Sequence, residues 1–357
     1  MKTVSVVIPT FNRDEKLARC LDYIWTYFQD NISLSKLFDF WVIDGSETSS
    51  SRSFALVKDI EKIGVNINYF HLPNESLFRR VKSGVLKSRG DFIFLCGDDG
   101  LLDFDNVVSD LEEYGLSDAV VAGRFMNLCG LGWSKVYCTD GERPFSGFEI
   151  NLQSPLMRTL VLGVSNGYGI SSLSYSLIPR QVSELFYAEF DLDEHYYGGV
   201  EFMHQLFVAY HSKVIFTDKI HLYRDYSYIG YVSEDKREAS DDEDFVYIGR
   251  SAVEALDRYF SREMAASERK QMKLVVRYIH KVQQALGPSR QQLERRLGRP
   301  SRLINAMGGS RSAVKVNQVW VRHYWTCYGI NNGWKARMKI IFPWLPTVWR
   351  YLKMGRL

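Results

Sequence analysis

The sequence VSVVI at residues Val4–Ile8 is a run of β-branched residues that only Ser5 interrupts, and Pro9 follows it. Runs of this kind, without polar alternation, are typical of strands that are buried on both faces of a parallel sheet. The next segment, Asp14–Phe28, repeats apolar residues at helical spacing. The start of the chain therefore predicts a buried strand, ended by Pro9, and then an amphipathic helix.

The same alternation continues to about residue 100. Further strands are predicted at Phe38–Ile43, Val65–His71 and Asp91–Cys96, and helices at Ser53–Ile63 and Leu77–Lys87. Strands that alternate with helices favour an α/β fold with a doubly wound, mostly parallel sheet flanked by helices.

The pattern is weaker beyond residue 105. It predicts helices at Asn106–Tyr114 and Gly198–Tyr210 and strands at Ala119–Ala122 and Lys213–Thr217. Residues 125–180 are rich in Gly, Ser and aromatic residues, and we expect loops and short strands around a pocket there.

The 357 residues are 46% hydrophobic and 24% charged, which excludes a disordered or fibrous chain. We divide them into a domain at 1–225, a helical extension at 226–290 and a basic, Trp-rich tail at 291–357. Within the extension, 233–244 is charge-dense and predicted to be an exposed loop, and 252–286 is predicted to be helical.

Polar clusters follow three of the predicted strands directly, at Pro9–Arg13, Asp44–Ser46 and Gly97–Gly100. Ligands bind beyond the carboxyl ends of the strands in sheets of this type, so we expect the clusters to converge. The adjacent carboxylates of Asp98 and Asp99 suit Mg²⁺ or Mn²⁺, and an ordinary Asp-Gly turn is the alternative.

Asp44 also has two interpretations from its position after the second strand. Its carboxylate could accept a hydrogen bond from a nucleobase N–H or a ribose hydroxyl. It could equally cap a helix or form an Asx turn, with help from Ser46.

The segments Val4–Arg13 (VSVVIPTFNR), Val42–Ser46 (VIDGS) and Asp91–Gly100 (DFIFLCGDDG) resemble, in order and spacing, family 2 nucleotide-sugar glycosyltransferases of the GT-A fold. The resemblance covers about residues 1–225. It implies a metal-dependent enzyme that transfers a sugar, with inversion, from a nucleoside diphosphate sugar that is usually UDP-linked.

The resemblance also implies roles for the motif residues. Asp44 would hold the base, Asp98 would face the ribose or the sugar, and Asp99 would coordinate the Mg²⁺ or Mn²⁺ that bridges the diphosphate. The residues that would line the base and ribose are Pro9, Thr10, Phe11 and Arg13. Many family members carry a third acidic residue where this chain has Gly100.

The family places an acidic general base at the start of a helix about a hundred residues after the metal motif. Glu201 matches that position, with Asp193 and Glu194 as rivals. The alternative for Glu201 is a charge that interacts with the dipole of the helix N-terminus.

Basic residues near the predicted site could hold the diphosphate. His221 and Arg224 follow the last predicted strand and are candidates for that role. Arg79, Arg80 and Lys82 could also bind phosphate, or they could only solvate the face of a helix.

The charge is divided unevenly along the chain. Residues 1–294 carry 32 basic and 42 acidic residues, a net −10, whereas residues 295–357 carry 13 basic residues and no acidic one. Five tryptophans lie in the last part of the chain: Trp320, Trp325, Trp334, Trp344 and Trp349. Trp and basic residues suit an anionic membrane surface, which we favour over nucleic acid and over packing on the acidic body.

The cysteines are Cys20, Cys96, Cys129, Cys138 and Cys327, an odd number without a CxxC pair. This count argues against a disulfide framework and favours a reducing compartment. No signal peptide or bilayer-spanning segment is recognisable, so we expect a cytoplasmic protein, peripheral on the inner face of the membrane.

The function predicted from the sequence is transfer of a sugar to a hydroxyl of a saccharide or lipid-linked acceptor in cell-surface polysaccharide assembly. One alternative is a nucleotidyltransferase, although residues 9–16 lack a Gly-rich phosphate loop. The other is a catalytically degenerate domain that serves as a membrane-bound assembly partner.

Overall fold

The computed structural model describes residues 2–129, 135–137, 149–150, 155, 158–159, 173–192, 197–225, 254–266 and 268–273. The strands in this part of the chain are β1 Val4–Thr10, β2 Phe38–Asp44, β3 Asn66–His71, β4 Phe92–Leu95, β5 Gly100–Leu102, β6 Val120–Cys129, β7 Lys135–Tyr137, β8 Glu149–Ile150, β9 Ile178–Pro179 and β10 Val214–Asp225. The helices are α1 Asp14–Asp30, α2 Ser51–Lys62, α3 Leu77–Lys87, α4 Phe104–Tyr114, α5 Arg180–Glu189 and α6 Tyr197–His211.

A five-stranded sheet in the order β3-β2-β1-β4-β9 forms the centre of the fold. β1, β2, β3 and β4 run parallel, and β9 is antiparallel to β4. Every residue of β2 is buried, as expected of a strand that is covered on both faces. The predicted mostly parallel α/β sheet is confirmed.

Helices cover both faces of this sheet. Successive residues of β1 point to opposite faces, so each face can be identified from the residues that its side chains contact. Val6 and Ile8 pack in a hydrophobic cluster with residues of α1, α2 and α4. Val7 packs in the other cluster, with residues of α3, α5 and α6. The sheet is therefore doubly wound, as the sequence predicts.

The structure corrects the predicted ends of two strands. β1 continues through Pro9, which pairs with Ile43, because the φ angle of proline is compatible with extended backbone. β10 continues to Asp225, whereas the prediction ended at Thr217. A register shift between Phe216 and Ile220 lets β10 pass through the polar residues that resemble a strand end in the sequence.

A second sheet, in the order β5-β10-β6-β7 with β8 also on β10, lies beyond the aspartate motif. Its first strand, β5, starts at Gly100, and Gly100 pairs with Arg224 of β10. The aspartate motif is thus the connection between the two sheets.

The described residues of the predicted helical extension pack on the cluster around α5 and α6. Residues 254–263 and 268–273 are helical, and the rings of Tyr259 and Phe207 lie 5.1 Å apart. Most of 125–180, the loop at 233–244 and the tail at 291–357 lie outside the described residues, so the domain boundaries stay predictions. Among the described helices, none combines the length and the hydropathy needed to cross a bilayer.

Gly84 allows α3 to approach the central sheet closely. A Cβ atom at this position would lie 2.5 Å from Cγ1 of Val7 and 3.3 Å from Cγ1 of Ile43. Both contacts are to side chains of the buried core, so the neighbours have little room to move.

We predict that Gly84→Ala destabilises the chain by about 1–3 kcal/mol, because the added methyl group overpacks the contact between α3 and β1. Urea unfolding measures the effect. At an exposed helix position the same change stabilises by up to about 1 kcal/mol, so an increase in stability would contradict the close contact.

Candidate active site

The aspartates follow β4 in a tight turn. The amide of Gly100 donates to the carbonyl of Gly97 over 2.8 Å, which closes the turn around Asp98 and Asp99. A Cβ atom at Gly97 would lie 2.6 Å from Oδ1 of Asp99, so glycine makes room for that carboxylate. Both interpretations of the motif are therefore compatible: it is an Asp-Gly turn, and it presents two carboxylates.

Asp98 is held from the end of β1. Its side chain is 1% exposed, accepts a 2.7 Å hydrogen bond from Oγ1 of Thr10, and lies 2.7 Å from Nη1 of Arg13. Burial raises the pKa of Asp98 to about 6, because the loss of water disfavours its charged form more than Arg13 and Thr10 favour it. The charged form of Asp98 is thus disfavoured by burial and stabilised by Arg13 and Thr10.

Arg13 joins the two aspartates. It is the residue before α1, and its Nη2 lies 3.2 Å from Oδ2 of Asp99 while Nη1 contacts Asp98. The resemblance implied a contact of Arg13 with the base or ribose. In this structure its guanidinium contacts the acidic turn.

The end of β2 lies beside the end of β1. Asp44 and Thr10 are register partners, and the amide of Gly45 donates to the carbonyl of Thr10 over 3.0 Å. The amide of Asn12 also donates to Oγ of Ser46 over 2.8 Å. The three polar clusters therefore meet at one edge of the sheet, as predicted.

The Asp44 carboxylate forms the Asx turn that the sequence offered as an alternative. It is 2% exposed and accepts hydrogen bonds from the amide of Ser46, at 2.9 Å, and from the hydroxyl of Tyr69. Burial and the Asp44 carboxylate raise the pKa of Tyr69 above its usual range. The sequence reasoning missed Tyr69, because only the pairing of β2 with β3 brings it to Asp44.

Arg80 holds the end of β1 through hydrogen bonds to backbone carbonyls. It is 6% exposed, Nη1 donates to the carbonyl of Thr10, and Nε donates to the carbonyl of Glu75 over 3.1 Å. Its guanidinium lies 5.3 Å from the centroid of the Phe11 ring. Of the two interpretations of Arg80, solvation of a helix face is wrong, because its side chain is buried and contacts the end of β1.

The other candidate cations of α3 contact groups near their own helix or the end of α5. The side chain of Arg79 is 44% exposed and lies 3.8 Å from Glu75. The ammonium of Lys82 donates to the carbonyl of Phe190 over 3.1 Å and lies 3.6 Å from Asp191.

His221 is not placed to clamp a diphosphate, so that expectation is wrong. The imidazole is fully buried, and its Nε2 lies 2.7 Å from Oδ2 of Asp110 on α4. Arg224 lies opposite Gly100 in the strand ladder, next to the aspartate turn. The side chain of Arg224 is outside the described part of the structure.

The packing around Gly100 favours glycine over a third acidic residue at this position. A Cβ atom there would lie 2.8 Å from Sγ of Cys96 and 2.9 Å from Cδ1 of Leu222. A side chain at Gly100 would therefore require Cys96 or Leu222 to shift, which disfavours a third carboxylate beside Asp98 and Asp99.

The candidate general base is described only in part. Glu201 is the fifth residue of α6, so it follows the first turn rather than starting the helix. Its side chain, Asp193 and Glu194 lie outside the described atoms, and the choice among the three stays a prediction.

The family comparison agrees with the resemblance in the sequence. Residues 5–158 match the model of Glycosyl transferase family 2. A search of curated proteins finds no match.

Solved structures share the fold of this chain. S. aureus TarS 1-349 is 14% identical with a TM-score of 0.52, over 99% of this chain and 92% of that chain. The complex of S. aureus TarS 1-349 with UDP is 15% identical with a TM-score of 0.50, over 88% and 80% of the two chains. The predicted GT-A fold is confirmed.

We predict that Asp98→Asn changes the pH dependence of stability. Because the pKa of Asp98 is about 6 in the folded chain and about 3.9 when unfolded, folding favours its neutral form. That contribution is complete below pH 3.9 and is lost as the pH rises through 6. Between pH 4 and 7 the wild type should lose about 2 kcal/mol relative to Asp98→Asn.

The measurement is urea unfolding of both proteins in EDTA across this pH range. Asp59→Asn is the matched control, since Asp59 is half-exposed on α2 beside Lys62. Parallel pH profiles for the wild type and Asp98→Asn would contradict the buried, destabilised carboxylate.

Proposed function

We propose that this chain moves a sugar from a nucleoside diphosphate sugar to a hydroxyl group, with inversion at the anomeric carbon, because residues 5–158 match the model of Glycosyl transferase family 2. The observation that carries the proposal is the meeting of Thr10, Asp44 and the Asp98–Asp99 turn at the carboxyl edge of the parallel sheet. This is the edge at which sheets of this type bind nucleotides.

The nucleoside would lie along the ends of β1 and β2. Pro9, Thr10 and Phe11 form the end of β1 and the start of its loop, and Phe11 offers a ring against which a base can pack. The Asp44 carboxylate already accepts hydrogen bonds from Ser46 and Tyr69. It would accept a further hydrogen bond from the base N–H through its remaining lone pairs. Since an S. aureus structure of the same fold holds UDP, uracil is the first base to test.

A divalent cation would be held by Asp99, which is more exposed than Asp98. Among the described residues no three acidic, imidazole or thiol groups form a cage for a metal. Mg²⁺ and Mn²⁺ accept one or two protein carboxylates together with phosphate oxygens, so Asp99 and a donor diphosphate are a suitable ligand set. The bound cation would stabilise the negative charge on the departing diphosphate.

The remaining roles belong to groups around the sugar. Asp98, held by Thr10, would face the ribose or the sugar, and Arg224 could contact the diphosphate from the end of β10. Glu201 on α6 would remove the proton from the acceptor hydroxyl as it attacks, with Asp193 and Glu194 as alternatives. One displacement with one base inverts the configuration.

The acceptor would be a saccharide or a lipid-linked saccharide at the inner face of the membrane, in polysaccharide assembly. This part rests on the sequence, in which residues 295–357 carry 13 basic residues, no acidic residue and several tryptophans. Basic residues near anionic lipid contribute about 1 kcal/mol each, and Trp prefers the bilayer interface. The tail would bring the enzyme to its acceptor without crossing the bilayer.

We predict that UDP raises the melting temperature of the chain, and that Mn²⁺ increases this rise. Asp99→Asn should remove the contribution of Mn²⁺ because it removes the carboxylate ligand, and the affinity for UDP with Mn²⁺ should fall at least about tenfold, the equivalent of 1.4 kcal/mol. Thermal shift with a panel of nucleoside diphosphates is the measurement.

Asp59→Asn, on the outer face of α2, is the control and should behave as the wild type. If no nucleotide changed the melting temperature of the folded chain, the donor site would be refuted. The degenerate assembly partner would then be the better account.

We also predict that the full chain cosediments with phosphatidylglycerol vesicles and not with phosphatidylcholine vesicles. Neutralising Arg350, Lys353 and Arg356 to Gln should weaken this binding about a hundredfold, from about 1 kcal/mol for each charge. The matched control neutralises three exposed cations of the body, Lys36, Arg52 and Lys62. Equal losses in both triple variants would contradict a docking role for the tail.

A further inference from the structure

We propose that Arg13 is a built-in counter-cation of the aspartate turn, which opposes metal binding until a nucleoside diphosphate draws it away. The proposal rests on the proposed function, because it takes Asp99 as the metal ligand. It assigns Arg13 a task other than lining the base and ribose: Arg13 makes entry of the cation depend on the donor.

The contacts of Arg13 are those of a bridge between two acids. Nη1 lies 2.7 Å from Oδ1 of Asp98, and Nη2 lies 3.2 Å from Oδ2 of Asp99. The planar guanidinium fork can serve two oxygens at once, which a lysine ammonium does less well. Each prong therefore neutralises a different carboxylate.

In the absence of metal, a cation is needed to offset the repulsion between the carboxylates of Asp98 and Asp99. The side chains of Asp98 and Asp99 are 1% and 10% exposed, so water solvates them poorly. Like charges in adjacent, buried positions repel each other strongly. A guanidinium between them reduces this repulsion and stabilises the turn in the free protein.

Arg13 can leave without loss of the turn. Thr10 holds Oδ2 of Asp98 from β1, and the amide of Gly100 closes the turn onto the carbonyl of Gly97. The backbone beside Arg13 is fixed, since Asn12 has a φ of +51° and its amide donates to Oγ of Ser46. The side chain of Arg13 is 21% exposed, and a change in its side-chain torsion angles would move the guanidinium away from the turn.

A divalent cation and the guanidinium compete for the same carboxylate. A cation on Oδ2 of Asp99 would meet Nη2 of Arg13 at close range, and the two positive charges would repel. A nucleoside diphosphate brings negative oxygens to which a guanidinium binds well. Donor binding therefore offers Arg13 a new partner and leaves Asp99 to the metal, so the two ligands bind cooperatively.

The test measures the affinity of the full chain for Mn²⁺ alone, by electron paramagnetic resonance of free Mn²⁺, without nucleotide. Arg13→Met should bind Mn²⁺ at least about tenfold more tightly than the wild type, and UDP should increase its Mn²⁺ affinity by a smaller factor. Arg13→Lys keeps a positive charge at the same place and should remain close to the wild type. Equal or weaker Mn²⁺ binding by Arg13→Met would overturn the proposal.

Two further measurements keep the result unambiguous. Arg13→Gln is a second neutral variant, with folding checked by circular dichroism, in case Arg13→Met does not fold. Asp99→Asn tests the proposed function itself: if it binds Mn²⁺ with UDP as the wild type does, the metal role of Asp99 is wrong and both proposals fall. If Asp99→Asn loses that binding but neither neutral Arg13 variant gains Mn²⁺ affinity, only the role of Arg13 is refuted.

Discussion

The hydrogen bond from Thr10 to Asp98 joins the end of β1 to the acidic turn, and the geometry of the site depends on it. A buried carboxylate is costly unless charged or polar neighbours compensate for the lost water. Thr10 supplies one such partner from the strand at the centre of the sheet, and Arg13 supplies the other from the start of α1. The raised pKa of Asp98 indicates that this compensation is incomplete. Such a residual cost is common where a site is arranged for a ligand.

The parallel sheet makes this arrangement possible, because it aligns the carboxyl ends of β1, β2 and β4. The turn after β4 leads directly into β5, which pairs with β10, so the acidic motif is held between two sheets. Close packing limits the size of the side chain at some positions, as Gly84 of α3 against β1 and Gly100 against β10 illustrate. The chain thus fixes the backbone of the turn by packing and leaves the side chain of Arg13 partly exposed.

Much of this could be predicted from local sequence. The β-branched run at Val4–Ile8 and the polar clusters after successive strands suffice to predict the sheet and the edge at which Asp44, Asp98 and Asp99 meet. The partners of these residues could not be predicted, because strand register and helix packing create the contacts of Tyr69 with Asp44 and of Arg80 with Thr10. His221 shows the converse: a polar residue after a strand signal is in fact buried against Asp110, inside a longer strand.

The central claim is that the acidic turn and the ends of β1 and β2 form one donor site. The most direct test is a crystal structure of the chain with UDP and Mn²⁺, with anomalous diffraction recorded at the manganese edge. The account predicts an anomalous peak within bonding distance of the Asp99 carboxylate and the diphosphate, the uracil beside Asp44, and Arg13 turned from Asp99. Well-ordered UDP bound elsewhere, or a manganese peak away from Asp99, would contradict it.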